Sequence, residues 1–165
     1  MLLRLDHRRA ANSARFSPNG RYIVTASADN LSRVWDAATG ELKTVLRGHQ
    51  GEVNSATFSP DGRWVLTASY DATAQIWEPE TGAHVFTLKG HRGAVTFADF
   101  TRDGAQILTS DAGGPALVFK CDLCKPIGEL VRTAPTRGRP LTTEERERYL
   151  RDAPSTAALP AGRRQ

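Results

Sequence analysis

Laid over itself at an offset of 42 residues, the chain returns the same punctuation twice. His7, His49 and His91 coincide. So do Phe16-Ser17-Pro18-Asn19-Gly20, Phe58-Ser59-Pro60-Asp61-Gly62 and Phe100-Thr101-Arg102-Asp103-Gly104, followed by Trp35-Asp36, Trp77-Glu78 and Phe119-Lys120. A fixed period of this length means one supersecondary unit per repeat, each unable to bury its apolar face alone, so neighbouring units must stack. The central unit, Gly48 to Lys89, is the one with a neighbour on both sides.

Within that unit the residues predict four short strands. Val53 to Phe58 is the first; Ala56 and Phe58 keep the two-residue alternation and Val53 is out of phase, which predicts a bulge. Ser59-Pro60-Asp61-Gly62 is a turn, with proline fixing φ and glycine tolerating positive φ. Trp64 to Ser69 is the second strand, Thr73 to Trp77 the third and Ala83 to Leu88 the fourth, separated by Tyr70-Asp71-Ala72 and by Pro79-Glu80-Thr81-Gly82.

With Gly48-His49 and Gly90-His91 at one end of a unit and Trp35-Asp36 at the other, the chain resembles the WD-repeat β-propeller family over about residues 2 to 120. The resemblance implies an all-β fold: a partial β-propeller of three four-stranded blades, with repeats at approximately 7–47, 49–89 and 91–131. A closed propeller has about four to eight blades, and this chain supplies three. Leu2 to His7 aligns with Thr44 to His49 and with Phe86 to His91, so it reads as the outer strand of a further blade whose inner strands are missing. The remaining blades are expected from a longer chain or from oligomerisation, the third possibility being an open array with exposed edges; the stray strand and the ending of the chain favour the longer chain.

After Phe119 the pattern breaks. Residues 121–151 read as an extension: Ile127 to Arg132 is either the third blade's outer strand or a short helix, and Thr142-Thr143-Glu144-Glu145 is a capping box opening a helix to about Arg151. Residues 152–165, rich in Pro, Ala, Gly and Arg, read as disordered. The order Cys-x-x-Cys, Glu-Leu-Val, a basic stretch and Leu-Thr-x-x-Glu-Arg-x-x-Tyr-Leu resembles the ending of bacterial WD-repeat proteins, many of which carry a signalling ATPase or kinase upstream.

Charge separates the two parts. Twelve basic and twelve acidic residues balance through Phe119, whereas the remaining 46 residues carry ten against six. General nucleic-acid affinity of the blades is therefore not expected. Arg132, Arg137, Arg139, Arg163 and Arg164 lack interleaved aromatics for base stacking and read as solvated. No apolar run approaches the roughly 20 residues of a membrane span, and no secretory signal is legible, so a cytoplasmic location is expected.

His49, Ser69, Asp71 and Trp77 have the residue types of a hydrolase triad. Donor chemistry points elsewhere. Indole N–H only donates, so Trp77 would donate to Ser69, Ser69 to neutral His49, and His49 to Asp71, a chain satisfied from end to end. The WD-repeat resemblance likewise implies a structural network, and it recurs as His7, Ser27, Asp29 and Trp35. In the third repeat His91 persists, but Asp111, Gly113 and Phe119 stand in the places of Ser69, Asp71 and Trp77, so the relay is expected to fail there and the blade to be the least rigid.

Cys121 and Cys124 are the chain's two cysteines. They lack the further ligands of a structural zinc site and read as plain thiols, with a metal shared between chains as the alternative. No cofactor is expected. By resemblance, protein partners would meet the rim between blades, where Glu52, Asn54 and Tyr70 are the distinctive residues. The function implied is a non-enzymatic interaction scaffold, the C-terminal WD portion of a bacterial signalling or regulatory protein; the competing reading is a metal- or nucleic-acid-binding accessory using the cysteine pair and basic tail.

Overall fold

The computed structural model of the protein describes residues 3–121 and residue 124. The backbone divides into a unit Met1–Leu130 and a unit Val131–Gln165, and every described residue belongs to the first. The expected strand or helix at 127–132, the helix to Arg151 and the 152–165 tail lie outside the described residues.

Each repeat folds as an antiparallel meander. β1 (Ala11–Phe16), β2 (Tyr22–Ser27), β3 (Ser32–Asp36) and β4 (Leu42–Leu46) pair in that order, as do β5 (Val53–Phe58), β6 (Val65–Ser69), β7 (Ala74–Trp77) and β8 (His84–Leu88). β9 (Val95–Phe100), β10 (Gln106–Asp111) and β11 (Leu117–Lys120) form a sheet of three strands among the described residues, where four were expected. The fold is all-β, a partial propeller of three blades.

Local chemistry explains the chain reversals. In the second blade Gly62 N–H donates to the Ser59 carbonyl at 2.8 Å, and the Asp61 carboxylate accepts from the Ser59 hydroxyl at 2.6 Å and from Arg63 N–H at 3.1 Å. Gly62 holds φ at 74°, in the left-handed region that glycine reaches without a Cβ clash. The pairing of β5 with β6 slips between Val53 and Ser55, the bulge expected from the phase of Val53. The slip recurs at Ala11/Ser13 and at Ser110/Asp111.

Alternation gives every sheet two faces. Each blade's outgoing face packs on the incoming face of the next. Val24, Ala26, Val34 and Leu46 meet Val53, Ala56, Phe58, Val65 and Trp77. One blade on, Leu66, Ala68, Ala74, Ile76 and Leu88 meet Val95, Ala98 and Ile107, with Phe100 and Phe119 alongside. Burying a side chain such as Leu66 or Ile76 is worth roughly 1.5–3 kcal/mol, so stacking between sheets holds each blade in place. Side-chain amides add polar ties: Asn12 Nδ2 donates to the Val53 carbonyl at 2.9 Å and Asn54 Nδ2 to the Val95 carbonyl at 2.8 Å.

Candidate functional site

The candidate residues fall into a buried relay in each blade and an exposed rim where the strands turn. In the second blade Trp77 pairs with Val65, Thr67 lies two residues further along β6, and Ser69 lies four. At about 3.3 Å per residue, Thr67 is a diagonal neighbour within reach of a long side chain, whereas Ser69 is about 13 Å along the strand. Trp77 Nε1 accordingly donates to Thr67 Oγ1 at 2.8 Å, and Thr67 Oγ1 stands 2.7 Å from His49 Nε2. His49 Nδ1 then meets Asp71 Oδ2 at 2.7 Å. The hydroxyl in the chain is therefore Thr67 and not the expected Ser69. Ser69 instead donates to the Gly51 carbonyl at 3.0 Å and accepts the Asp71 N–H at 3.2 Å, fastening the entering loop.

These bonds define the proton positions. With Nδ1–H given to the carboxylate, Nε2 is an acceptor and the Thr67 hydroxyl donates to it. Burial lowers the His49 pKa from 6.5, outweighing the pull of Asp71, which favours this neutral ring. Burial would raise the Asp71 carboxyl, but hydrogen bonds from Thr73, Gln50 N–H and His49 outweigh it and hold it below its ordinary 3.8. Thr67 is fully buried and His49 nearly so. The hydroxyl of this relay, on Thr67, is buried and hydrogen-bonded on both sides, and so is not free for nucleophilic attack.

The first blade has the same residue types wired differently. Trp35 Nε1 donates to Thr25 Oγ1 at 2.8 Å, so here too threonine replaces the expected serine; Ser27 accepts the Asp29 N–H at 3.2 Å. The expected contact from His7 to Asp29 is interrupted by Arg33, which occupies the place of Gln75. Its guanidinium grips Asp29 with two hydrogen bonds, 3.1 and 2.7 Å, and donates from Nη1 to His7 Nδ1 at 3.0 Å. A planar fork of donors reaches two acceptors at once, which a glutamine amide cannot match. Burial lowers the His7 pKa, and the Arg33 charge lowers it further.

In the third blade a relay forms where none was expected. His91 Nε2 lies 2.7 Å from Thr109 Oγ1, and His91 Nδ1 lies 3.1 Å from Asp111 Oδ2. The carboxylate comes from the position of Ser69, two residues before that of Asp71. Glycine makes room for it: a Cβ on Gly114 would run into the Asp111 carboxylate. What the blade lacks is the indole donor, since Phe119 brings only an apolar ring, centred 6.5 Å from that of His91.

The cysteines also differ from expectation. Cys121 and Cys124 are joined by a disulfide, both sulfurs' residues are buried, and they pack in the cluster with Leu66 and Ile107. Neither is a free thiol, and among the described residues no group of three or more His, Cys, Asp or Glu side chains is placed to hold a metal.

At the rim, Tyr70 is 58% exposed, although its backbone N–H is pinned to the Glu52 carbonyl at 2.9 Å. Ala28 and Ala112 hold the same place in the other blades and make the same backbone bond, to Ala10 and Ala94. Glu52 is half-buried beside it. Asn54 is half-buried as well, and its Nδ2 donates to the Val95 carbonyl at 2.8 Å. Thr25, Thr67 and Arg33 were absent from the residues singled out by sequence. The threonines had a signal, since Thr25, Thr67 and Thr109 recur at the 42-residue period in all three units.

The family model for the WD domain, G-beta repeat, matches residues 2–36, 40–78 and 82–114, which together are more than half of the chain. The chain belongs to the WD-repeat family. The match at 40–78 begins on β4, the outer strand of the first blade, and ends on β7, the third strand of the second, so that repeat bridges two sheets. Among curated relatives, the Notchless protein homolog of Arabidopsis thaliana is 44% identical over 45 residues, 27% of this chain and 10% of that protein. Human WD repeat-containing protein 86 is 38% identical over 45 residues, 27% of this chain and 12% of that protein. Ribosome assembly protein 4 of Saccharomyces cerevisiae is 49% identical over 35 residues, 21% of this chain and 7% of that protein. The matched stretch is thus about a tenth of each relative's length.

Proposed function

We propose that this chain is a non-enzymatic protein–protein interaction scaffold whose contact surface is the rim around Tyr70. The observation that carries the reading is the combination at Tyr70 of a fixed backbone and a projecting aromatic ring, in a turn where the other blades place alanine. An amphipathic ring held ready in this way loses little entropy on binding and is the residue type enriched at interaction hot spots. The buried relay of the second blade, paired from Trp77 through Thr67 and His49 to Asp71, supports the non-enzymatic part, since it fastens strands and presents no free nucleophile. The disulfide removes the thiolates that a metal-binding accessory would use.

The proposal extends to context. The ending of the chain resembles that of bacterial WD-repeat proteins with signalling or regulatory domains, and we place this scaffold in such a protein. An assembly role of the kind named for the yeast relative uses the same rim.

Comparative enrichment on immobilised wild-type and Tyr70→Ala chains tests the reading. Proteins held by the wild type should fall by about tenfold or more with Tyr70→Ala, at an unchanged melting temperature. An identical set on both chains would remove the rim from the function.

A further inference from the structure

The charges of the blades balance in number, yet the fold separates them by end. In each meander the entering loop and the turn between the second and third strands lie at one end of the sheet, and the other turns lie at the opposite end. At the entering end Arg8, Arg9, Arg47, Lys89 and Arg92 are exposed, and among the described residues none of their side chains takes part in an ion pair. The carboxylates of that end are withdrawn. Asp29, Asp71 and Asp111 are taken up in the relays, Asp6 pairs with Arg4 at 2.6 Å, and Glu52 is half-buried. The turns of the opposite end have the reverse excess, with Glu41, Asp61, Glu78, Glu80 and Asp103 exposed against Arg21, Arg63 and Arg102.

The relays set the cations in place. Each carboxylate accepts the N–H of the residue after the relay histidine: Arg8 to Asp29 at 3.3 Å, Gln50 to Asp71 at 3.0 Å and Arg92 to Asp111 at 3.3 Å. That position therefore combines a held backbone with an exposed side chain, and it is arginine in the two blades that flank the blade of Tyr70. Sheets packed face to face stand about 10 Å apart, so the two arginines lie roughly that far to either side. Stacking covers sheet faces and not strand ends, so blades added on either side leave this rim open.

We propose that this rim takes an extended acidic segment of a partner protein, which lays an apolar side chain on Tyr70 and brings carboxylates to Arg8 and Arg92. The inference rests on the reading of Tyr70 as the contact residue and adds the partner's chemistry. A guanidinium binds a carboxylate through two parallel hydrogen bonds, and cations without a partner of their own steer an acidic ligand inward. An extended chain advances about 3.3 Å per residue, which puts the carboxylates roughly three residues to each side of the apolar one. Glu52, beside Tyr70, disfavours a negative group at the centre. A nucleic-acid strand carries a phosphate on every nucleotide and would bring one there, so the charge pattern fits a peptide.

The experiment exposes the immobilised full chain to a displayed library of random peptides, with Arg8→Gln/Arg92→Gln and Tyr70→Ala chains beside the wild type, each checked for an unchanged melting temperature. Glutamine is the residue that the second blade already holds at this position. Peptides kept by the wild type should have Asp or Glu on both sides of an apolar residue and should be released as salt rises. The arginine double variant should lose them by about tenfold or more, as should Tyr70→Ala. A wild type that keeps no peptides, or peptides without an acidic excess, overturns the proposal, as does a single-stranded oligonucleotide that binds more tightly than the peptides kept. A set lost with Tyr70→Ala but kept by the arginine variant overturns this inference and leaves the Tyr70 reading standing, whereas a set kept by Tyr70→Ala overturns both.

Discussion

The first and second blades carry the same histidine, threonine, serine, aspartate and tryptophan at the same spacing, yet wire them differently. In the second, His49 links Thr67 to Asp71 in one continuous chain. In the first, Arg33 takes Asp29 for itself and turns His7 into an acceptor, leaving its buried Nε2 without a partner. The difference arises at one neighbouring position, Arg33 against Gln75. It teaches that the relay is a means of joining an entering loop to three strands, and that either a hydrogen-bonded histidine or a buried ion pair does so. Breaking such a buried ion pair by removing one partner is costly, but the intact pair is a weak argument for extra stability over a neutral network.

The largest expected effect separates the two threonines. Thr67→Val keeps the shape but strands both the Trp77 N–H and the His49 ring nitrogen, so it should cost roughly 2–3 kcal/mol. Thr25→Val strands the Trp35 N–H and should cost about 1 kcal/mol. Denaturant unfolding of the two variants beside the wild type measures both, and equal losses would break the comparison. Ser69, which a search for catalytic triads selects first, belongs to neither chain.

A smaller effect follows from acid. His7 and His49 both have pKa values lowered from 6.5, His7 by burial and Arg33, His49 by burial. Below pH 6.5 the unfolded chain therefore takes up protons that the folded chain refuses, and stability falls with falling pH. Asp29 and Asp71, lowered from 3.8 because their hydrogen bonds outweigh burial, add a second loss of the same sign below pH 3.8. Melting temperature followed from pH 7 to pH 3 should decline in these two stages; a rise on acidification would contradict the neutral-histidine wiring.

Much of the fold was legible because the repeat restates itself. The bulge at Val53, the turn at Ser59 to Gly62 and the strand ends within one residue all follow from local chemistry that recurs at the period. The relay was legible in residue type but not in membership. Serine and threonine both offer a hydroxyl, and only the pairing of Trp77 with Val65 decides which lies within reach. Asp111 was misjudged for a related reason. Alignment placed it opposite a serine, while the glycine beside it, which frees space for the carboxylate, acts through three-dimensional proximity. Arg33 is a charged side chain that sequence logic sends to solvent, and its burial depends on Asp29 being four residues away across a turn.

The most direct test is the tautomeric state of the histidine rings, read from long-range proton–nitrogen correlation spectra at pH 7. The wiring predicts that His49 carries its proton on Nδ1, facing Asp71, whereas His7, whose Nδ1 accepts from Arg33, carries it on Nε2. Finding both rings in the same tautomer would contradict the claim that two blades with the same residues are fastened in two different ways.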